Sequence, residues 1–592
     1  MLSPLKERPP FAGLEVPRAL RALVRAHEAS FALLGALIGA VAGLVVAAMS
    51  FAVALMHALL FGVGAGQRLS ALTALDPMLA LLVPTIGGLA FGGAMHALGR
   101  WRPGREVDPI EANALHGGRM SLTGSFMVAL QTVWSSGVGA SVGLEAGYTQ
   151  LASGLASRVG QAFHLRRQDL RLLVGCGAAG AIAGAFGAPL AGAFYAFELI
   201  IGSYSIACLA PVGIAALLGY VVASLIEPGG SLGIGAPYVM KVGDHDLVIA
   251  GVVGLLAAGA GIALMIGVAQ CERTLNWLRI PVYLRPGIGG LIVGTLALVT
   301  PQVLSSGHGA IHTAAVIDSP LREVVLLLAL KALASMVSLG TGFRGGLFFA
   351  SLLLGTLLGR LFADASSMLW PTLPLDAHIY AIIGLGAFSV SVIGAPLTMT
   401  FIALETTGDF WLTAAVLVAV IVSALVTREM FGYSFATWRF HLRGETIRSA
   451  ADVGWLRDLT VRRMMRPDVR TVPANTTLSR FRAAFPLGSN SHIVAVDENK
   501  DYAGIAVVAE AHAAEQDETK CIRDILHFPD MPLLPTMTVK EAVAAFDTAE
   551  AEALAVIQSR DSRKVVGLLS EAHALRRYSE ELEMRRRELI GE

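Results

Sequence analysis

Gly187-Ala188-Pro189-Leu190-Ala191-Gly192-Ala193-Phe194-Tyr195-Ala196-Phe197-Glu198 is answered further along the chain by Gly394-Ala395-Pro396-Leu397-Thr398-Met399-Thr400-Phe401-Ile402-Ala403-Leu404-Glu405. The shared phrase Gly-Ala-Pro-Leu-x-x-x-Phe-x-Ala-x-Glu lies each time inside long apolar sequence, which predicts two related halves in a membrane. Membrane folds built from two such repeats commonly place their ligand at the interface of the halves, near mid-bilayer, where broken helices point their ends at an ion. The loops ahead of the two phrases are therefore the first place to look for a site.

Composition agrees with a membrane chain. Of 592 residues, 54% are hydrophobic, 15% are charged and 64 are glycine, and the apolar content concentrates between about Ala29 and Val426. A hydrocarbon core of about 30 Å needs roughly 20 apolar residues per helix. The blocks Phe31 to Phe61, Met78 to Leu98, Leu247 to Ala269, Val324 to Leu339 and Leu412 to Val426 approach or exceed that length. Ser135 to Gly160 and Gly340 to Gly359 are cut by glycine into shorter pieces, which predicts paired half-helices meeting inside the protein. Irregular backbone at that depth must be buried or line a cavity.

The zero formal net charge averages a membrane part with a charged tail and excludes nothing about partners. Cys176, Cys208, Cys271 and Cys521 are far apart, without metal or redox spacing, and read as packing residues. Lys6, Arg8, Arg18, Arg21 and Arg25 precede the first apolar block. No short apolar stretch with a cleavage site comes before it, so the expectation is an uncleaved N-terminus on the cytoplasmic side. No nucleophile with a paired base stands out, so an enzyme is not expected.

After Trp438-Arg439-Phe440-His441-Leu442-Arg443 the sequence turns to alternating strand and helix patterns. A second domain is expected over 456–592, itself repeated: Val461 to Phe485 parallels Ile522 to Phe546, with Pro473 answering Pro535. Each copy runs on into two strands, His492 to Val496 and Ala503 to Val508, then Ala553 to Ile557 and Val565 to Leu569. This unit resembles a pair of CBS domains, at roughly 456–515 and 521–580. That resemblance implies an adenine-nucleotide site, but Ser570 is followed by Glu571 and His573 where an aspartate would be expected, and the first copy offers Val508, Ala509 and Glu510. Stabilisation of a dimer is the plainer role. Arg576 to Glu592 reads as a charged, solvated helix.

Gly143-Leu144-Glu145-Ala146-Gly147 lies between the apolar segments Phe126 to Val142 and Tyr148 to Val159. An acidic residue at that depth faces a polar cavity, a partner or an ion path, and flanking glycines let backbone amides approach a ligand. A helix starting near Tyr148 would aim its free amides at the same spot. An anion and Glu145 would then compete for one place, which makes Glu145 a gate; the alternative is a buried carboxylate satisfied by its neighbours. Gly340-Thr341-Gly342-Phe343-Arg344-Gly345-Gly346-Leu347-Phe348-Phe349-Ala350 precedes the second phrase as the Glu145 loop precedes the first. Arg344 either adds positive potential there or pairs with an acidic neighbour. His308 and His312 read as loop residues, since two histidines without a third ligand make a poor metal site.

These residues together resemble the CLC family of chloride channels and chloride/proton exchangers, over about 400 residues plus the tail. Glu145 matches the family's gating glutamate in its Gly-Lys/Arg-Glu-Gly-Pro loop, and Gly346, Leu347, Phe348 and Phe349 match its anion-binding Gly-x-Phe-x-Pro loop. Tyr433 in Phe431-Gly432-Tyr433-Ser434 stands where a hydroxyl reaches the central anion, although a tyrosine there also serves as an interfacial anchor. Asp108-Pro109-Ile110-Glu111-Ala112-Asn113-Ala114-Leu115 resembles the first signature, so Val107 and Asp108 are counted with the anion-binding residues. The chain departs from the family at three places. Glu106 takes the position of the signature serine, Leu199 takes that of the inner proton glutamate of exchangers, and Leu144 and Gly147 replace the basic residue and proline of the gate loop.

The resemblance implies an all-α polytopic membrane domain over 29–440, with inverted halves at roughly 29–225 and 246–440, an N-terminal segment 1–28 and an α+β CBS pair. It implies a multi-pass homodimer in a bacterial inner or plasma membrane with both termini cytoplasmic. Chloride or a similar small anion would pass through a pore in each subunit, with protons as a second partner in the exchanger case. No metal, nucleic acid or cofactor is expected beyond the nucleotide named above. Exchanger and voltage- or pH-gated channel stay open, as does a transport-dead sensor, which the lost serine and altered gate motif favour and the charged gate and glycine loops oppose.

Overall fold

The computed structural model describes residues 17–64, 66–101, 106–227, 242–311, 320–371, 375–435, 437–438, 459–513 and 520–590. Lys6, Arg8, His312, the basic residues Arg439 and Arg443, and the expected domain start at Leu456 lie outside the described residues. The chain divides into two compact units, Met1–Asp452 and Val453–Glu592.

The first unit is helical. After the basic α1 (Arg18–Ala26) come α2 (Glu28–Phe61), α3 (Pro77–Trp101), the short α4 (Pro109–Leu115), α5 (Leu122–Gly137), α6 (Glu145–Ala162), α7 (Arg167–Phe186), α8 (Pro189–Tyr195) and α9 (Ile206–Ile226). The second half holds α10 (Asp244–Trp277), α11 (Arg285–Ala297), α12 (Leu321–Gly340), α13 (Phe348–Leu369), α14 (Ala377–Ile393), α15 (Pro396–Thr407) and α16 (Phe410–Met430). Eight helices among the described residues are long and apolar enough to cross a membrane. Leu33, Leu59 and Ile206 are exposed on their outer faces, as expected where lipid is the solvent.

Inside, glycine brings helix backbones together. A Cβ on Gly39 or Gly43 of α2 would collide with the backbone of α9 at Ala215 or Gly219, and one on Gly88 or Gly92 of α3 would meet the chain at Pro286 or Tyr283. Lipid gives no hydrophobic reward for helix association, so close packing of small residues has to supply it.

The same device corrects one expectation. Gly340 to Gly359 was expected to form half-length pieces, but α13 runs unbroken through 22 residues. Gly355 and Gly359 are contact points: a Cβ on either would strike the backbone of α14, at Gly384 and Tyr380. The break expected in Ser135 to Gly160 is present, between the end of α5 at Gly137 and the start of α6 at Glu145, so the helix begins at the carboxylate and not at Tyr148.

Each copy of the duplicated phrase is a helix corner. Gly187 and Gly394 end α7 and α14 in the left-handed region, at φ +67° and +83°, where glycine is unstrained. The prolines then occupy the first turn of α8 and α15, where a missing N–H costs nothing. The next amides have no partner in their own helix, and the glutamate of the opposite copy takes them. Glu405 accepts from Leu190 N at 2.7 Å and Ala191 N at 2.9 Å. Glu198 accepts from Leu397 N and Thr398 N, both at 2.9 Å, and from Thr398 Oγ1 at 2.7 Å.

The second unit contains β1 (Thr471–Pro473), parallel to β2 (His492–Val496), which pairs antiparallel with β3 (Tyr502–Val507). β4 (Ala553–Ile557) and β5 (Val565–Ser570) repeat the antiparallel pair, and Leu533 bridges Val556 in parallel as β1 does β2. Helices Leu478–Ala484 and Val539–Ala549 occupy equivalent places in the two copies. Val494, Tyr502, Ile505, Ala555 and Ile557 form a core shared by both copies.

Replacing Glu405 by Ala strands two helix-start amides, and a hydrogen bond to a charged group contributes about 2 kcal/mol. The melting temperature of the purified protein should fall for Glu405→Ala, and Glu405→Gln, which keeps one acceptor oxygen, should recover part of the loss.

Candidate functional site

The two expected loops meet across the interface of the halves. Gly143 N donates to Gly346 O at 3.0 Å and Gly346 N returns a bond to Gly143 O at 3.1 Å, one rung of an antiparallel pair. On either side the loops are held by serines from the opposite half. Ser338 near the end of α12 accepts from Ser141 N at 2.9 Å, and Ser135 near the end of α5 accepts from Arg344 N at 3.0 Å. Ser141 and Ser335 add a hydroxyl contact at 3.0 Å. Buried backbone amides need partners, and here each half supplies those of the other.

This clasp sets the starts of α6 and α13 together. Glu145 and Phe348 hold equivalent positions as the first residues of the two helices. The Glu145 side chain crosses the gap: its Oε1 accepts from Phe348 N at 2.5 Å, and the amides of Phe349 and of Glu145 itself face the same carboxylate. A negative group thus sits against two helix N-termini, whose amides and dipole ends favour an anion. A Cβ on Gly143 or Gly346 would overlap the carboxylate, so the glycines shape the cradle. Glu145 is 5% exposed, and its Oε2 is buried without a hydrogen bond.

Aromatic rings wall the site. Phe186 lies 4.4 Å from both Phe348 and Phe349, centroid to centroid, Tyr195 lies 6.1 Å from Phe348, and His308 stacks on Phe349 at 4.7 Å. Leu347 is buried in the main core. On one side a cavity of about 130 Å³ reaches Leu144, Tyr148 and Phe349, and is also lined by His57, Arg68, Glu227 and His308. Arg68 pairs with Glu227 at 3.8 Å, and His57 Nε2 donates to Ser136 O at 3.0 Å. Behind this wall the buried Lys331 donates to Val303 O and Ser305 O at 3.1 and 2.8 Å.

The remaining expected residues divide. Asp108 caps α4, accepting from Glu111 N at 3.0 Å, and Val107 O accepts from Gln150 Nε2 of α6 at 2.8 Å, which ties the first signature to the gate helix. Glu106 rests its carboxylate against Gly124 in the first turn of α5. Leu199 packs in one cluster with Val107 and Tyr195. Tyr433 sits after α16 with its ring 5.7 Å from Trp438, and the neighbouring Ser434 backs onto Gly394 at the second phrase.

Sequence reasoning did not single out Tyr148 or Tyr195. Tyr195 lies against Phe348 and Tyr148 lines the cavity beside Leu144 and Phe349, and the Tyr148 hydroxyl is buried without a hydrogen bond. The repeat itself holds the signal, because Ser351 and Ile402 occupy the equivalent places in the second half.

Residues 87–428 match the family model described as voltage gated chloride channel. The voltage-gated ClC-type chloride channel ClcB of Escherichia coli strain K12 is 28% identical over 384 residues, covering 64% of this chain and 91% of the relative. Among solved structures, a slow cyanobacterial Cl-/H+ antiporter superposes with a TM-score of 0.61 at 20% identity, over 70% of this chain and 97% of that one. A eukaryotic CLC transporter gives 0.58 at 18% identity, over 94% of this chain and 98% of its own. A CLC-type fluoride/proton antiporter gives 0.56 at 20%, over 68% and 96%.

An added methyl at Gly346 would fill the space between the two helix starts, 2.7 Å from where the Glu145 carboxylate lies, and leave less room for an anion there. Gly346→Ala should weaken anion binding about tenfold, near 1.4 kcal/mol, in a calorimetric chloride titration of purified protein.

Proposed function

The chain belongs to the voltage gated chloride channel family, and we propose that it carries chloride or a similar small anion across the membrane along a path controlled by Glu145. The observation that carries this reading is the Glu145 carboxylate on the amide of Phe348, between the starts of α6 and α13. A carboxylate held there fills the position an anion would take. Protonation removes its charge, lets the side chain leave, and opens amides of Phe348 and Phe349 to the anion. Gly346 and Leu347 shape that loop, the Tyr433 hydroxyl provides a further donor, and Val107 with Asp108 forms the mouth of the path at the α4 start.

Leu199 supports a passive, proton-gated channel as a second reading, because an apolar side chain at that position cannot carry a proton. For the whole protein we read a homodimer with one path per subunit, in a bacterial inner membrane with both termini cytoplasmic. The second unit is read as a CBS pair; its support is the repeated strand and helix order, together with the reach of the eukaryotic CLC transporter likeness over 94% of this chain. Glu510, Glu571 and His573 stand where a ribose-binding aspartate would, so the pair is assigned to stabilising the dimer, with an adenine nucleotide as its candidate ligand.

Chloride efflux from liposomes containing the purified protein tests the gate. Efflux by the wild type should rise as the pH falls, and Glu145→Gln should carry chloride at a rate that no longer depends on pH. No chloride flux from either protein, or unchanged pH dependence in the variant, would overturn the assignment.

A further inference from the structure

The cavity beside the gate is lined by one cation and one anion, and they face each other. Among the described residues around its volume of about 130 Å³, Arg68 is the only lysine or arginine and Glu227 the only aspartate or glutamate; serines, Gln67, two histidines and apolar groups make up the rest. Arg68 Nη2 lies 3.8 Å from Glu227 Oε1, with the two side chains 33% and 47% exposed. Leu144, Tyr148 and Phe349 line the same cavity, next to a Glu145 that is 5% exposed. The pair therefore stands at the open mouth and the gate at the closed end. α2 carries the chain across from the N-terminal side and Arg68 follows it, so this mouth opens on the opposite face.

Arg68 is fixed to the wall of the gate. Ser70 Oγ, two residues on, accepts from Gly309 N at 3.0 Å, and a Cβ on Gly309 would lie 3.0 Å from that of Arg68. His308, the residue before Gly309, stacks on Phe349 at 4.7 Å. Glu227 directly follows α9, its N–H donating to Ala223 O at 2.9 Å. The carbonyl end of a helix disfavours a carboxylate, so the helix itself gives no reason for an acid there, whereas Arg68 across the mouth does. An ion pair this exposed adds little to stability. What it changes is the charge of the mouth.

We propose that Glu227 is an electrostatic attenuator of anion capture: it cancels the charge of Arg68, so that an approaching anion meets a neutral mouth instead of a positive one. This rests on the reading of an anion path past Glu145. An uncompensated cation in a narrow mouth with apolar walls concentrates anions and speeds their entry, and a carboxylate beside it takes that gain away. The gate carboxylate is held by the Phe348 amide and not by this pair, so the pair sets how much chloride is needed to fill the path and not how fast a filled path turns over. Removing the charge of Glu227 leaves the mouth positive, removing that of Arg68 leaves it negative, and removing both makes it neutral again.

Initial chloride uptake from the cavity's side is measured against chloride concentration in liposomes containing the wild type, Glu227→Gln, Arg68→Gln or the double variant. Half-saturating chloride should fall about threefold in Glu227→Gln and rise about threefold in Arg68→Gln, with the double variant back at the wild-type value and maximal rates alike. The shifts should shrink as an impermeant salt raises the ionic strength, since screening shortens the reach of a charge to roughly 3 Å at 1 M. Arg68→Lys, which keeps the charge, should match the wild type. The same half-saturation in all four proteins would overturn the attenuator and leave the path standing. A double variant as weak as Arg68→Gln would overturn it as well, by showing that Arg68 meets the anion directly; no chloride uptake by any of the four would sink the path reading itself.

Discussion

Each membrane half leaves helix-start amides open that only the other half can close. At the duplicated phrase the closing groups are carboxylates, Glu405 on α8 and Glu198 on α15. At the site loops they are serine hydroxyls and the paired glycines Gly143 and Gly346. An unpaired amide in a medium without water costs several kcal/mol, so the two halves are bound less by apolar contact than by this mutual completion. Everything that gives the site its shape follows from it: the helix starts converge because their loops are rungs of one ladder.

Symmetry that strict leaves few places for function, and function occupies the places where it fails. Glu145 and Phe348 begin equivalent helices, yet one is a carboxylate and the other an apolar ring. The charge therefore reaches across to its counterpart's amide, and the two equivalent helix starts become unlike: one carries the carboxylate and the other the amide that holds it. Tyr148 opposite Ser351 and Tyr195 opposite Ile402 break the repeat in the same neighbourhood. These departures all lie within the aromatic wall around Phe348, while the residues that hold the wall in place, Ser135 with Ser338 and Gly143 with Gly346, keep the repeat.

The fold was legible where a residue's role is local. Gly187 and Gly394 end helices, Pro189 and Pro396 begin them, and a repeated phrase with both features predicts two matching corners. Glu145 was legible because a charge between glycines in apolar sequence has few explanations. The length of α13 was not, since a glycine that breaks a helix and one that lets another helix approach look alike in sequence; Gly355 and Gly359 differ from Gly340 only through what packs on them. Tyr195 escaped for a related reason: a tyrosine in a helix is unremarkable until a distant segment brings Phe348 to it. The exchange of Glu198 and Glu405 between corners likewise needed the halves to be seen together.

The crossed carboxylates also bear on how the chain is made. Synthesis delivers α8 long before Glu405 exists, so for that interval Leu190 and Ala191 present open amides within the bilayer and Glu198 has no helix start to hold. The first half is then an unfinished product that must be sheltered, by water, by the insertion machinery or by a loose arrangement of its own helices, until the second half arrives. A chain released before its second corner has been inserted keeps those amides and the Glu198 carboxylate without the partners they have in the finished fold.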